Sequence, residues 1–429
     1  MRVLIVAYYY PPINSGGSAR PLAMAKHLTR LGHEVSVLTQ SYRRPDILEG
    51  GELRVYDPSH NRDRVGAGAI AWLSRRLLSA GVNLAGGYHS IYSAWKARVL
   101  AHADRLIASA RPEVVPATYP PVEDLEIGLA LGERFGVPLV ADFRDGLLFE
   151  PIERERIRRH RGVEQHYRRI ERAVAERAAA VVTVFPSLTA YFREAHGRGD
   201  AVTITNGFDP EDFAGLPRSG LLDPSACNIV HAGRFAGSYG GRDVRPLMDA
   251  LTRLLDQGRA PARDLRLHLI GELTACERRG FRALAGRGLV IEHGLQPRPR
   301  TLAAQTEADA LLLLTGSDQP GSAPGKLFEY LGAGRPILGL TAGSFAAEII
   351  LGTRTGWTVD PGDPEAIADM LVSVANGRPP PGFAPDSERT RASSRDRQIA
   401  QLGAVLREVA SSNSPESRVV EDVPPRTSR

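Results

Sequence analysis

The chain has very little lysine. Of its 54 Lys and Arg residues, only Lys26, Lys96 and Lys326 are lysine. A bias of this kind reflects genomic base composition and says little about function. It does make a lysine inside a motif conspicuous. Cysteine is as scarce, with Cys227 and Cys276 alone. Two cysteines give neither a disulfide framework nor a metal-ligand spacing, and they fit a reducing cytoplasm as buried thiols. Long apolar runs are missing. Met1–Ala7 is too short for a signal peptide, and the run at 310–315 has the length of a strand, so nothing approaches a membrane span. No Gly-x-Gly-x-x-Gly follows the first strand, and the second ends in Thr39-Gln40 rather than an acidic residue. A nicotinamide or flavin enzyme needs both features.

What is present describes a folded protein of two domains. The 429 residues suffice for two full cores, and 42% hydrophobic with 24% charged residues is ordinary for such a chain. The formal charge of +5 is mildly basic. Short apolar runs alternate with helical patterns in both halves, which indicates parallel sheets in α/β units. In the first half strands are expected at Val3–Ala7, Val35–Thr39, Leu53–Tyr56, Val137–Ala141 and Ala180–Val184. In the second they fall at Asn228–Ala232, Leu265–Ile270, Leu289–Glu292, Ala310–Thr315 and Pro336–Leu340. Asn206-Gly207-Phe208-Asp209-Pro210 is a strong turn at the crossing between them. The boundaries that follow are 1–210, 225–385, a last helix at 386–410 and a Ser/Pro-rich, disordered tail at 411–429.

The richest motif runs from Gly321 to Leu338. Gly321-Ser322-Ala323-Pro324-Gly325 is a small-residue loop that opens a short helix. Its free N–H groups suit an anion, above all a phosphate. Lys326 and Glu329 lie three apart, on one helix face. One can meet a phosphate while the other accepts from sugar hydroxyls. Gly334 suits the C-cap, and Pro336 stops the helix.

This stretch resembles the nucleotide-sugar site of GT-B glycosyltransferases of the family 4 type, whose motif is two glutamates separated by seven residues. Glu329 matches the second, which the resemblance assigns to the ribose. The first falls at Gly321, so that sugar contact has no acceptor here. The likeness extends over about residues 1–412 and includes the Asn-Gly-x-Asp segment at 206–209. It implies two Rossmann-like doubly wound domains facing a cleft, with the last helix crossing back to the first domain. It also implies sugar transfer from a nucleoside-diphosphate sugar of the UDP, GDP or dTDP type to an acceptor hydroxyl, with retention of configuration. That donor is a co-substrate, and no cofactor is expected. Asp-x-Asp occurs nowhere in the sequence, so the metal–diphosphate clamp of the other large glycosyltransferase fold is absent and no metal site is assigned.

Further residues are assigned on that basis. Gly16 and Gly17 open the helix after the first strand and match the family's glycine-rich loop, where donor phosphate or sugar can approach the backbone. Their other reading is an ordinary helix entry. Asp142-Phe143-Arg144-Asp145 ends a buried strand, where open sheets bind ligands. Asp145 could take an acceptor proton or stabilise charge on the sugar, or form a structural pair with Arg144. After Asn228–Ala232, Gly233-Arg234 matches the family's Gly-Arg, and Arg242 stands as the second diphosphate base. Arg234 and Lys326 would then stabilise the leaving group. His293, also at a strand end, gets no chemistry.

Two longer stretches bear on partners. Glu153–Arg177 interleaves Glu with Arg around Ile157, Tyr167, Ile170 and Val174, which describes a solvated helix and not a nucleic-acid surface. Ala67–Leu100, with Trp72, Arg75, Arg76, Tyr88, Tyr92 and Trp95, either packs on its own domain or lies on an anionic membrane. A cytoplasmic protein is expected, peripheral at the inner membrane face in the second case. Acceptors open to it are a glycan, a lipid-linked sugar or a small metabolite. An epimerase on the same fold and a non-catalytic sugar-nucleotide binder are the competing readings.

Overall fold

The computed structural model describes residues 1–13, 16–58, 77, 81–82, 87–151, 154–235, 243–256, 264–316, 320–321, 323–378 and 383–413. Arg242, the tail from 414 and, in the aromatic stretch, Trp72, Arg75 and Arg76 lie outside them. The chain divides into two compact units. One holds Met1–Thr205 and the chain from Ile399 on, and the other holds Asn206–Gln398.

Each unit is built on one sheet. The first contains β1 (Arg2–Val6), β2 (Glu34–Ser41), β3 (Glu52–Tyr56), β4 (Val115–Tyr119), β5 (Leu139–Phe143), β6 (Ala180–Thr183) and β7 (Val202–Thr203). All pair in parallel, in the order β3-β2-β1-β4-β5-β6-β7. The second contains β8 (Cys227–Ala232), β9 (Leu265–Ile270), β10 (Val290–Gly294), β11 (Ala310–Leu314), β12 (Ile337–Leu340) and β13 (Gly356–Val359). These are also parallel, ordered β10-β9-β8-β11-β12-β13. The order reverses between β1 and β4 in one sheet and between β8 and β11 in the other. Ligands of open α/β sheets bind outside the C-terminal strand ends at such reversals.

Three strands escaped the sequence reading. β7 has only two residues, and β13 opens on glycine. β4 carries Pro116, a residue that normally argues against an inner strand. Val115 N–H donates to Pro138 O at 2.9 Å, toward β5, so the missing Pro116 donor faces β1. Pairing of β4 with β1 is accordingly reduced to Val6 with Ala117 and a bridge from Val3 to Val114.

The last helix expected at 386–410 is two, Ser387–Ala392 and Arg395–Ser412. Between them the chain meets the 206–208 turn. Phe208 N–H donates to Ser393 O at 3.2 Å, and Arg395 N–H to Phe208 O at 2.7 Å. A Cβ on Gly207 would stand 2.7 Å from Ser393 O, so this close approach requires glycine. Farther along, Ile399, Leu402, Leu406 and Val409 share one helix face. They complete the first unit's core with Val3, Ile5, Met24 and Leu28.

Among the described residues no helix is long and apolar enough to cross a membrane. Trp95 is fully buried, its ring 5.0 Å from that of Tyr8. Tyr88 stacks on His166 at 3.7 Å. The stretch read as one helix over Glu153–Arg177 is two, Arg154–Arg159 and Arg161–Arg177, and they bury the expected stripe of Ile157, Tyr167, Ile170 and Val174. Cys227 is buried, whereas Cys276 is exposed, contrary to the expectation of two buried thiols.

Because Leu402 is fully buried in the first unit's core, Leu402→Ala should lower that unit's unfolding free energy by about 2–5 kcal/mol in urea titrations. A loss below about 1 kcal/mol would show that the last helix adds little to this core.

Candidate functional site

In the second unit the site forms where β8 and β11 part. Their ladder pairs Ile229 with Ala310 and Val230 with Leu311. Beyond it, side chains take over the backbone groups. Ala232 N–H donates to the Tyr330 hydroxyl oxygen at 2.9 Å, and that hydroxyl donates to Leu312 O at 3.3 Å. His231 Nδ1 lies 2.9 Å from the same carbonyl. Tyr330 is fully buried, and burial raises its pKa, so it stays a neutral donor.

Tyr330 belongs to the helix Gly325–Ala333, whose N-terminal end is thereby fixed beside β8. Gly334 caps it in the left-handed conformation at φ 68°, as the sequence led one to expect. Lys326 Nζ donates to Arg234 O at 3.1 Å and lies 3.3 Å from His231 Nε2. The lysine thus sits over the C-terminal end of β8. The loops there are tight: a Cβ on Gly271, just after β9, would come within 2.7 Å of Gly233 O.

A Cβ on Gly325 meets no described atom within 4 Å, and the residue is exposed. Its described neighbours therefore do not demand glycine, whereas a ligand closing on the backbone would. Glu329 Oε1 accepts from Arg298 at 2.5 Å, and the same guanidinium bonds Asp212 Oδ2 at 2.6 Å. Burial opposes the charge on Arg298, but Glu329 and Asp212 outweigh it and raise its pKa. Arg234 is largely exposed and pairs with Glu272. His293 Nε2 lies 2.9 Å from His268 Nδ1, and burial pushes His268 down to about 4, so His268 is neutral near neutral pH.

In the first unit the strand ends around the β1–β4 reversal hold a set of buried charges. Asp142 and Arg20 form a forked pair, with Arg20 Nη2 2.7 Å and Nε 3.0 Å from the carboxylate. They are 0% and 5% exposed, so each charge depends on the other. Arg20 Nη1 also donates to Thr205 O at 3.0 Å. Arg144 spends its guanidinium on carbonyls, Gly17 O at 2.5 Å and Pro120 O. This differs from the structural pairing with Asp145 considered from sequence. Asp145 itself is buried just beyond β5.

The two glycines after β1 behave differently. A Cβ on Gly17 would meet Arg144 Nη1 at 2.8 Å and Tyr9 Cβ at 3.3 Å, so glycine here serves a protein contact. Gly16 is exposed, and a Cβ there meets no described atom within 4 Å.

Glu123 and Asp124, unmarked by the sequence reading, open the helix Val122–Phe135 directly after β4. Tyr8 N–H donates to Asp124 Oδ2 at 3.0 Å, which ties the ends of β1 and β4 together. Burial raises the Asp124 carboxyl well above its usual range. Glu123 Oε1 accepts from Tyr88 Oη at 3.0 Å and from Ser90 Oγ. Burial pushes Glu123 up to about 7. An acidic pair just after Pro120-Pro121 is a helix-start signal. With β4 concealed by Pro116, the sequence shows no strand for that signal to follow.

Comparison with known protein families places two adjoining domains on this architecture. Residues 15–207 match a glycosyl transferase 4-like domain, and residues 226–376 match the glycosyl transferases group 1 family. The chain joins a glycosyl transferase 4-like domain to a glycosyl transferases group 1 domain. Solved structures agree on the GT-B fold at low identity. Sucrose-phosphate synthase from Thermosynechococcus elongatus is 16% identical with a TM-score of 0.64, covering 96% of this chain and 99% of its own. A trehalose-phosphate synthase from Burkholderia vietnamiensis is 13% identical with a TM-score of 0.61, covering 96% and 99%. Anabaena HepE in complex with UDP and glucose is 15% identical with a TM-score of 0.55, covering 99% and 100%. No curated protein sequence matches the chain.

The Glu123 shift has a testable sign. The group ionises near 4.3 when unfolded and near 7 when folded. Between those values the folded glycosyltransferase holds the proton longer, so its stability falls as pH rises through that window. Glu123→Gln keeps an acceptor for Tyr88 and Ser90 and cannot ionise. Its stability advantage over the parent should grow by about 2–3 kcal/mol from about pH 5 to about pH 8 in urea unfolding. A pH-independent difference would contradict the shift.

Proposed function

We propose that this glycosyltransferase moves a sugar from a nucleoside-diphosphate sugar to an acceptor hydroxyl, retaining anomeric configuration and using no metal. The observation that carries the reading is the seat of Lys326. Its ammonium stands at the β8–β11 reversal, next to the N-terminal end of its own helix, bonded to Arg234 O. Such a place favours a diphosphate through fixed charge and the positive end of the helix dipole. That no described atom stands within 4 Å of a Cβ on Gly325 supports close approach of the ligand.

In this reading Lys326 and the helix start stabilise the diphosphate as the sugar leaves. Arg234 joins them by exchanging Glu272 for a phosphate oxygen, at small cost because exposed ion pairs are weak. Glu329, with Oε1 held by Arg298, offers its carboxylate to the ribose hydroxyls. The HepE complex with UDP favours UDP over GDP or dTDP as the first nucleotide to try. The acceptor belongs to the first unit, with Asp145 as the group that meets the reacting hydroxyl. Glycan, lipid-linked sugar and small metabolite acceptors all fit this chemistry. The proposed setting is cytoplasmic, at the inner membrane face if the acceptor is lipid-linked.

Lys326→Ala and Glu329→Ala should each weaken nucleotide binding by roughly ten- to a hundredfold in calorimetry, the worth of a bond to a charged group. Lys326→Ala should also slow transfer, because diphosphate charge grows during reaction. Unchanged affinity in both folded variants would sink the donor site. Gly321→Glu restores the family's first glutamate and should change sugar preference at constant nucleotide affinity.

Asp145→Asn separates chemistry from support. A strong loss of turnover with unchanged nucleotide affinity and melting temperature assigns Asp145 to the reaction. A matching fall in melting temperature assigns it to the fold, and parental activity removes both roles. Binding without turnover across all three acceptor classes would replace the transferase reading by that of a sugar-nucleotide binding protein.

A further inference from the structure

His231 lies on the same face of β8 as Cys227 and Ile229, in apolar surroundings, and is 1% exposed. A buried imidazole needs partners for both nitrogens. Nδ1 faces Leu312 O at 2.9 Å, an atom with no proton to give, so Nδ1 carries the hydrogen. Nε2 then holds a lone pair, and 3.3 Å away stands Lys326 Nζ, a donor. A second proton on Nε2 would put two cations in contact. The ring lies flat on Phe235, with centroids 3.9 Å apart and planes 11° from parallel. These contacts fix both the position and the tautomer of the ring.

We propose that His231 is a positioning residue for Lys326, holding the lysine ammonium through neutral Nε2 at the place where the donor diphosphate binds. The proposal rests on the donor-site reading above. A lysine has a long, flexible stem, and anchoring its tip beforehand lowers the ordering cost of binding. The chemistry of the anchor matters. A carboxylate here would neutralise the ammonium, whereas a neutral imidazole holds it and leaves its charge for the phosphate. Tyr330, on the same helix, fixes the other end of this arrangement through Ala232 and Leu312.

The test compares His231→Asn, His231→Gln, Lys326→Ala and the His231→Asn/Lys326→Ala double variant of the full chain. The probe is whichever of UDP, GDP and dTDP binds the parent most tightly, measured by calorimetry, with folding checked by thermal melts. The Asn amide can still donate to Leu312 O but leaves the Nε2 position empty. The Gln oxygen reaches that position. His231→Asn should weaken binding about tenfold, as expected for one lost bond to a charged group. His231→Gln should recover most of the loss, and the double variant should bind no more weakly than Lys326→Ala alone. Parental affinity in folded His231→Asn, or losses that multiply in the double variant, would overturn the proposal. If Lys326→Ala alone binds like the parent, the donor-site reading fails instead, and the anchor with it. Nitrogen chemical shifts of His231 in the parent protein test the tautomer without any variant. An Nε2–H tautomer or an imidazolium would overturn the anchor even if His231→Asn does not fold.

Discussion

The second unit's site depends on one constraint, the parting of two parallel strands at the point where the sheet changes direction. β8 and β11 share backbone bonds only as far as Val230 and Leu311. Past that point their buried polar groups must find other partners. Tyr330 and His231 supply them, and both are tied to Lys326, one through its helix and one through a direct contact. The same interactions that satisfy the backbone therefore seat a cation over the C-terminal end of β8. Breaking them would expose orphaned backbone groups and release the lysine together.

The first unit meets the equivalent constraint with charge. Its reversal lies between β1 and β4, and the strand ends there hold Arg20, Asp142, Glu123 and Asp124 in nearly complete burial. Arg20 and Asp142 survive burial as a forked pair. Glu123 and Asp124 respond instead by favouring the protonated form. Arg144 links the loop after β1 to the loop after β4 through carbonyl oxygens, which explains why Gly17 lacks room for a side chain. Pre-paired groups at a ligand-binding edge hold that edge rigid, which is how a site keeps its geometry before a ligand arrives.

Much of this was legible in the sequence. Apolar runs bounded by turn residues placed most strands within a residue or two, because a strand buried on both faces must be apolar throughout. Lys326, Glu329 and the Gly334 cap followed from helix periodicity and from a loop of small residues. What remained hidden was non-local. Pro116 concealed β4, and with it the meaning of Glu123 and Asp124. Arg20 bonds Asp142 across more than a hundred residues of chain, and Arg298 reaches Glu329 from a different helix. No local pattern announces such pairs in a chain so rich in arginine. His231 was invisible for another reason: within an apolar strand it reads as an ordinary core residue.

The scarcity of lysine offers the most direct test. Reductive methylation of the folded protein, followed by mass spectrometry, can report Lys26, Lys96 and Lys326 separately in one experiment. Lys96 is paired with Glu126 in the first unit and, with Lys26, serves as an internal reference. Saturating UDP, with binding verified by calorimetry, should slow methylation of Lys326 strongly and leave the other two unchanged. Methylation of Lys326 at the same rate with and without bound UDP would contradict the account, because the diphosphate would then lie elsewhere.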